Sequence, residues 1–170
     1  DVELDKITSY GLDQIEFLIS PNPGEDLKPL AEIASGGELS RTMLALKKII
    51  AENDEVQTLL FDEVDTGIGG RVADLVAEKL AIIAQNQQVI SITHLPQIAS
   101  MGDAHYHISK SMTADQTETE VVQLKDKERI EELSRMLAGS QLTDATLEHA
   151  DEMIRIARKK KEAILENKIE

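Results

Sequence analysis

A chain of 170 residues, 41% of them apolar, is long enough to bury one core, and with aromatics at 2% and no Trp that core must be aliphatic. The absence of Cys excludes disulfides, thiolate metal sites and a cysteine nucleophile, and it fits a reducing cytoplasm. A net charge of −14 repels phosphate backbones on average, and so few aromatics leave no base-stacking platform.

In chain order, LDQIEFLIS (12–20) places Ile15, Phe17 and Ile19 at period two and predicts a strand, and PNPGED (21–26) a turn. A helix is predicted from about 37 to 52, with Leu39, Met43, Leu46 and Ile50 on its apolar face. VQTLLFD (56–62) is a short apolar run ending in acid, the pattern of a buried strand, and DTGIGG (65–70) is a glycine-rich loop. A second helix, about 70 to 85, gathers Val72, Leu75, Val76, Leu80 and Ile83, and QVISIT (88–93) is a second buried strand followed by His94. AHYHISK (104–110) and TETEVVQL (117–124) can pair as a hairpin, and helices follow near 126–138 and 143–166, the last with a stripe of Leu147, Ala150, Ile154, Ala157, Ile164 and Leu165. No repeat, linker or domain boundary interrupts this order. No segment approaches the roughly 20 apolar residues of a membrane helix, and no signal peptide opens the chain.

Strand, helix and strand over 56–93 form a βαβ unit, which implies parallel strands and a right-handed crossover. Ligands at such sheets bind beyond the carboxyl ends of the strands, and Asp62, Glu63 and His94 all fall there. Two adjacent acids after an apolar strand serve either as a polar strand end or as a divided pair. In the second case Asp62 holds Mg²⁺ through water and Glu63 polarises a water for attack on a phosphoryl group.

At the first long helix, Ser35-x-x-Glu38 has the form of a capping box. Capping does not explain Gly36 and Gly37. Bare backbone at a helix N-terminus exposes N–H groups and the positive end of the dipole, which attract anions. Capping and phosphate contact both fit this segment. His105 and His107 alternate on the hairpin and read as structural rather than metal-binding, having no evident third ligand. The basic run Arg158-Lys159-Lys160-Lys161 reads as the solvated face of a terminal helix or as a local nucleic-acid patch.

Together, SPNPGE (20–25), SGGELSRTMLALK (35–47), FDEVDTGIGG (61–70), THLPQIA (93–99) and RMLAG (135–139) resemble the C-terminal half of an ABC-type ATPase head. IASGGELSR matches the signature motif, LLFDEVD the Walker B motif and THLPQIA the switch-histidine segment. The wording is similar to that of SMC-like DNA-repair ATPases of the RecN type. The resemblance implies a P-loop NTPase-like α/β fold with parallel strands, flanking helices and a β-hairpin. It implies ATP and Mg²⁺ as cofactors. Ser35, Gly36, Gly37 and Glu38 would meet the γ-phosphate of ATP held by an opposite head. Asp62 would lie in the Mg²⁺ shell, Glu63 would be the catalytic base and His94 a γ-phosphate contact. Asp65, Thr66 and Gly67 would lie in the loop crossing the head–head interface. ABC proteins usually carry a further Asp where this chain has Gly69.

The sequence nowhere contains G-x-x-x-x-G-K-[ST], so it lacks the cradle and the Lys for the β- and γ-phosphates. The resemblance therefore implies a single lobe spanning 1–170, cut from a longer protein. It would work in the cytoplasm at the nucleoid, with an N-terminal Walker A lobe, a second head in a homodimer, and DNA. No membrane partner is implied. It implies ATPase activity for the longer protein and none for the chain alone. A transporter nucleotide-binding domain, usually reading SGGQ and DEPT, and a non-catalytic interaction module are the competing readings.

Overall fold

The computed structural model describes residues 11, 13, 15–20, 24–33, 35–50, 56–112, 117–139 and 141–166. By its internal contacts the chain divides into two compact units, Asp1–Ser35 and Gly36–Glu170. No shift in composition marks that division.

In the first unit, β1 (Leu18–Ile19) pairs antiparallel with β2 (Lys28–Pro29), Leu18 lying opposite Pro29. The Leu30 N–H donates to Phe17 O at 2.8 Å, and the Ser20 hydroxyl donates to Glu25 O at 3.0 Å; residues 21–23 of the predicted turn lie outside the described residues. A single turn of helix, α1 (Leu30–Ile33), follows. The strand predicted over 12–20 is thus two residues long, and Ile15 and Phe17 are exposed outside it. Alternation alone does not make a strand. It needs a ladder partner, and here the paired segment is only Lys28–Pro29.

The second unit is built on the βαβ element. β3 (Thr58–Phe61) and β4 (Gln88–Ser91) pair in parallel, Thr58 opposite Gln88 and Phe61 opposite Ser91, with α3 (Gly70–Ile83) between them in sequence. Alternation sorts β3 cleanly: Leu59 and Phe61 are buried, while Leu60 is 65% exposed. Ile90 and Ile92 are likewise exposed, so the two strands leave an apolar face open. Ahead of them, α2 (Gly36–Ile50) contributes Leu44 to the core. Its predicted apolar face is corrected here: Leu39, Met43 and Ile50 are exposed and Leu46 is half-buried. The helix instead turns its Gly37, Ser40, Arg41 and Leu44 side towards the loop after β3, an i, i+3, i+4, i+7 stripe of mixed polarity. On α3, Val76, Leu80 and Ile83 are buried as predicted, Val72 and Leu75 are exposed, Ala73 is also buried, and Ala77 shares a core cluster with Ile98 and Met101 of α4 (Pro96–Met101).

β5 (His105–Met112) and β6 (Thr117–Leu124) form the predicted hairpin, with His105 opposite Leu124 and Ile108 opposite Val121. α5 (Asp126–Ala138) and α6 (Asp144–Glu166) pack on each other. α6 begins at a reciprocal cap, in which the Thr146 N–H donates to Thr143 Oγ1 at 3.2 Å and the Thr143 N–H to Thr146 Oγ1 at 3.0 Å. Ala157 of α6 joins Leu44, Phe61 and Leu80 in one core cluster. Ala150 and Ile154 join Ala99 and Leu133 in a second.

The basic run near the end of α6 is largely occupied inside the molecule. Lys160 Nζ pairs with Glu78 of α3 at 2.7 Å, Lys161 Nζ with Asp103 at 2.6 Å, and Arg158 with Asp126 of α5 at 3.3 Å. Three of these four cations tie α6 to three other segments, which disfavours a free nucleic-acid patch. Each exposed pair of this kind is worth about 0–1 kcal/mol.

Candidate functional site

The candidate site lies at the carboxyl ends of β3 and β4, where a parallel pair delivers its loops to one edge. After Phe61 the chain turns sharply. Glu63 has φ 58°, the left-handed region that a non-glycine residue occupies only under constraint. Several bonds supply that constraint. The Glu63 N–H donates to Asp62 Oδ1 at 2.9 Å, and the Thr66 N–H donates to Glu63 O at 3.0 Å. From α2, the Ser40 hydroxyl donates to Asp62 O at 2.7 Å, and Arg41 Nη1 donates to Thr66 O at 2.8 Å and Val64 O at 3.3 Å.

This geometry accounts for the paired glycines in part. A Cβ on Gly36 would overlap Glu63 Oε2, so the Glu63 carboxylate occupies the space that the missing side chain leaves at the start of α2. A Cβ on Gly37 would meet Arg41 Nη1 and Glu63 O, both at 3.0 Å, and Thr66 Cβ at 3.1 Å. Gly37 is buried, whereas Gly36, Glu38 and Ser35 are exposed. Ser35 directly precedes α2 in the chain.

His94 and Asp65 meet as a pair. The Asp65 carboxylate is buried, its residue 3% exposed; its Oδ2 accepts the Thr93 hydroxyl at 2.6 Å and the His94 N–H at 2.9 Å, and His94 Nδ1 stands 3.0 Å from it. The Leu95 N–H in turn donates to Thr93 Oγ1 at 3.0 Å. Burial works against the charge of Asp65. The Thr93 hydroxyl, the His94 N–H and the His94 ring outweigh it and hold the carboxyl below the usual carboxylate range. The His94 side chain is 72% exposed. Asp65, expected from the resemblance to contact cofactor across an interface, is thus turned inward onto the switch-histidine segment.

Asp62 and Glu63 are exposed at the same edge. Among the described residues no cluster of three or more His, Asp or Glu side chains could enclose a metal ion. The Asp62 carboxylate, with one oxygen already accepting the Glu63 N–H, fits Mg²⁺ as a single protein ligand acting through water. Mg²⁺ tolerates that sharing because it keeps most of its hydration and takes its other oxygens from phosphates. His105 and His107 do not join the site. Both are half-buried; His107 Nε2 stands 4.0 Å from Glu132 of α5, and the His105 Nδ1 atom is buried without a hydrogen-bond partner.

Sequence reasoning missed Ser40, Arg41 and Thr93. The first two lie three and four residues beyond Gly37, on its own helix face, which was the available signal.

The chain shares 52% identity over 147 residues with the DNA repair protein RecN of Halalkalibacterium halodurans, an alignment covering 86% of this chain. It shares 47% over 152 residues with RecN of Bacillus subtilis and 49% over 146 residues with RecN of Treponema pallidum, covering 89% and 86% of this chain. The chain is RecN-like. It spans about a quarter of the length of these curated RecN relatives, 26% in each case. No family model matches it. A solved structure from work on ATP-driven dimerization and DNA-stimulated activation of SMC ATPases aligns with 73% of this chain and 81% of its own, at TM-score 0.42 and 21% identity.

Proposed function

We propose that this RecN-like chain is the C-terminal lobe of an ATP-binding and ATP-hydrolysing head that serves DNA double-strand break repair and recombination. In this reading ATP draws two heads together, hydrolysis releases them, and the cycle gates DNA tethering. The observation that carries it is the position of the Glu63 carboxylate. It lies over Gly36 at the N-terminus of a long helix, on the same strand edge as Asp62 and His94.

The residues divide the work as follows. The start of α2, at Gly36 and Glu38, presents the positive end of the helix dipole to an anion, and Ser35 directly precedes it in the chain. Gly37 seats that helix against the Glu63 loop rather than touching ligand. Asp62 holds Mg²⁺ through water, and Glu63 accepts the proton of an attacking water. His94 offers its exposed ring to a terminal phosphate oxygen. Bound Mg²⁺ and ATP supply the phosphoryl group and neutralise its charge, so the chain's own contribution is placement. Because the sequence has no G-x-x-x-x-G-K-[ST] loop, the phosphates must be cradled by another lobe. The partners are therefore a Walker A lobe, a second head and, through the assembled protein, DNA. Among the described residues no helix is long and apolar enough to cross a membrane, and the proposed place of action is the cytoplasm, at the nucleoid.

The test pairs this chain with a Walker A lobe and compares wild type with Glu63→Gln. The expected result is ATP turnover on mixing, lost in the variant by about 10²-fold or more, with a longer-lived ATP-bound dimer. Turnover that survives Glu63→Gln refutes the assignment of the base. Turnover by the chain alone refutes the division between lobes.

A further inference from the structure

Asp65 is a buried acid that the proposed chemistry leaves without a task. It sits three residues beyond Asp62 on the β3–α3 loop, yet both its hydrogen-bond donors, the Thr93 hydroxyl and the His94 N–H, and the His94 Nδ1 atom 3.0 Å from the same oxygen come from residues 93–94, just after β4. A buried carboxylate is costly unless satisfied, and here one oxygen accepts from a hydroxyl and a backbone N–H and stands 3.0 Å from an imidazole nitrogen. The Thr93 hydroxyl passes the connection on to the Leu95 N–H, so the turn entering α4 is pinned as well.

We propose that Asp65 is the positioning residue for His94: it fixes the imidazole with Nδ1–H turned inward and Nε2 presented outward at the strand edge. This rests on the ATPase reading for its purpose but not for its geometry. With Nδ1–H committed to Asp65, the neutral ring offers Nε2 as an acceptor. The protonated ring offers Nε2–H to an anionic oxygen, with the Asp65 charge balancing it. The same acid joins the loop that carries Asp62 and Glu63 to the segment that carries His94. The two halves of the site therefore hold a fixed spacing before any ligand arrives.

The placement is read directly by long-range proton–nitrogen NMR of the His94 ring in the 170-residue chain, at about pH 8.5, above the ordinary imidazole range. The expected spectrum is that of the Nδ1–H tautomer, which gives way to the commoner Nε2–H form in Asp65→Ala and persists in Thr93→Val. An Nε2–H ring in the wild type overturns the proposal whether or not the Asp65 variant folds. The consequence is read in the assembled ATPase. Asp65→Ala lowers kcat about 10- to 100-fold with KM for ATP little changed, and adds nothing in a His94→Ala background. Losses that multiply instead show that Asp65 does not act through His94 and overturn the proposal. An Nδ1–H ring in an assembly that never turns over ATP refutes the ATPase reading and leaves the ring's placement intact.

Discussion

Gly36→Ala separates the stability of the chain from the position of its proposed base. The added methyl would overlap Glu63 Oε2, the far end of a flexible side chain, and among the described residues beyond its own helix and chain neighbours no backbone atom lies within 4 Å. Glu63 can therefore rotate away at an off-rotamer cost of about 0.5–1.5 kcal/mol. Alanine in place of glycine within a helix returns up to about 1 kcal/mol. The two nearly cancel, so thermal or urea unfolding should show a change within about 1 kcal/mol of wild type. Activity should respond differently. A base displaced by an ångström or more loses its line to the attacking water, and misplacement on that scale costs about 10²-fold. The assay is ATP turnover of the chain mixed with a Walker A lobe, beside the unfolding midpoint of the chain alone. Wild-type turnover in Gly36→Ala would refute the placement of Glu63. A destabilisation well above 2 kcal/mol would show that something stiffer than a carboxylate fills the space.

Gly37→Ala should behave in the opposite way: its methyl meets the Glu63 carbonyl at 3.0 Å, so it should lower stability by a net of about 1–2 kcal/mol, measured by urea unfolding. His105 titrates low because burial, and then the nearby Arg129, disfavour its charged form. Its folded value lies below its unfolded one, so it adds stability above about pH 6.5 that drains away as the pH falls below that value. Melting temperature should decline on acidification from neutral, and His105→Gln should flatten that slope. Asp65 is also held low, so its contribution is present above about pH 4 and is lost only in stronger acid; Asp65→Ala should remove that acid limb. Lys160→Ala, losing one partly exposed pair with Glu78, should cost no more than about 1 kcal/mol, and less in high salt.

The βαβ element, the hairpin and both C-terminal helices were legible in the sequence because periodicity and turn residues agree there. β3 lies at 58–61 within the predicted 56–62, and α5 lies where it was predicted. What misled was the assumption that every apolar stripe is buried. Leu39, Met43 and Ile50 repeat at helical spacing but stay exposed, because α2 is held instead by the hydrogen bonds of Ser40 and Arg41 to loop carbonyls. Periodicity ranks side chains by hydropathy and is blind to a helix seated by polar groups. The candidate site was legible in its members at the strand ends, Asp62, Glu63 and His94, since strand direction alone assigns their edge. The inward turn of Asp65 was not legible. It depends on a pairing across 29 residues of sequence, which no local pattern encodes.

The manner in which α6 completes the core bears on how the chain acquires its structure. Ala157 packs into the cluster that holds Leu44 and Phe61, and the Lys160 pair with Glu78 spans 82 positions. Closing so wide a loop adds entropy only logarithmically, but that entropy must be met before the contacts reward it. During synthesis, then, α2, α3 and β3 leave the ribosome with one wall of their shared core still to come. They can settle fully only when the last helix arrives, so removal of α6 should unravel the strand edge far upstream rather than merely trim an end.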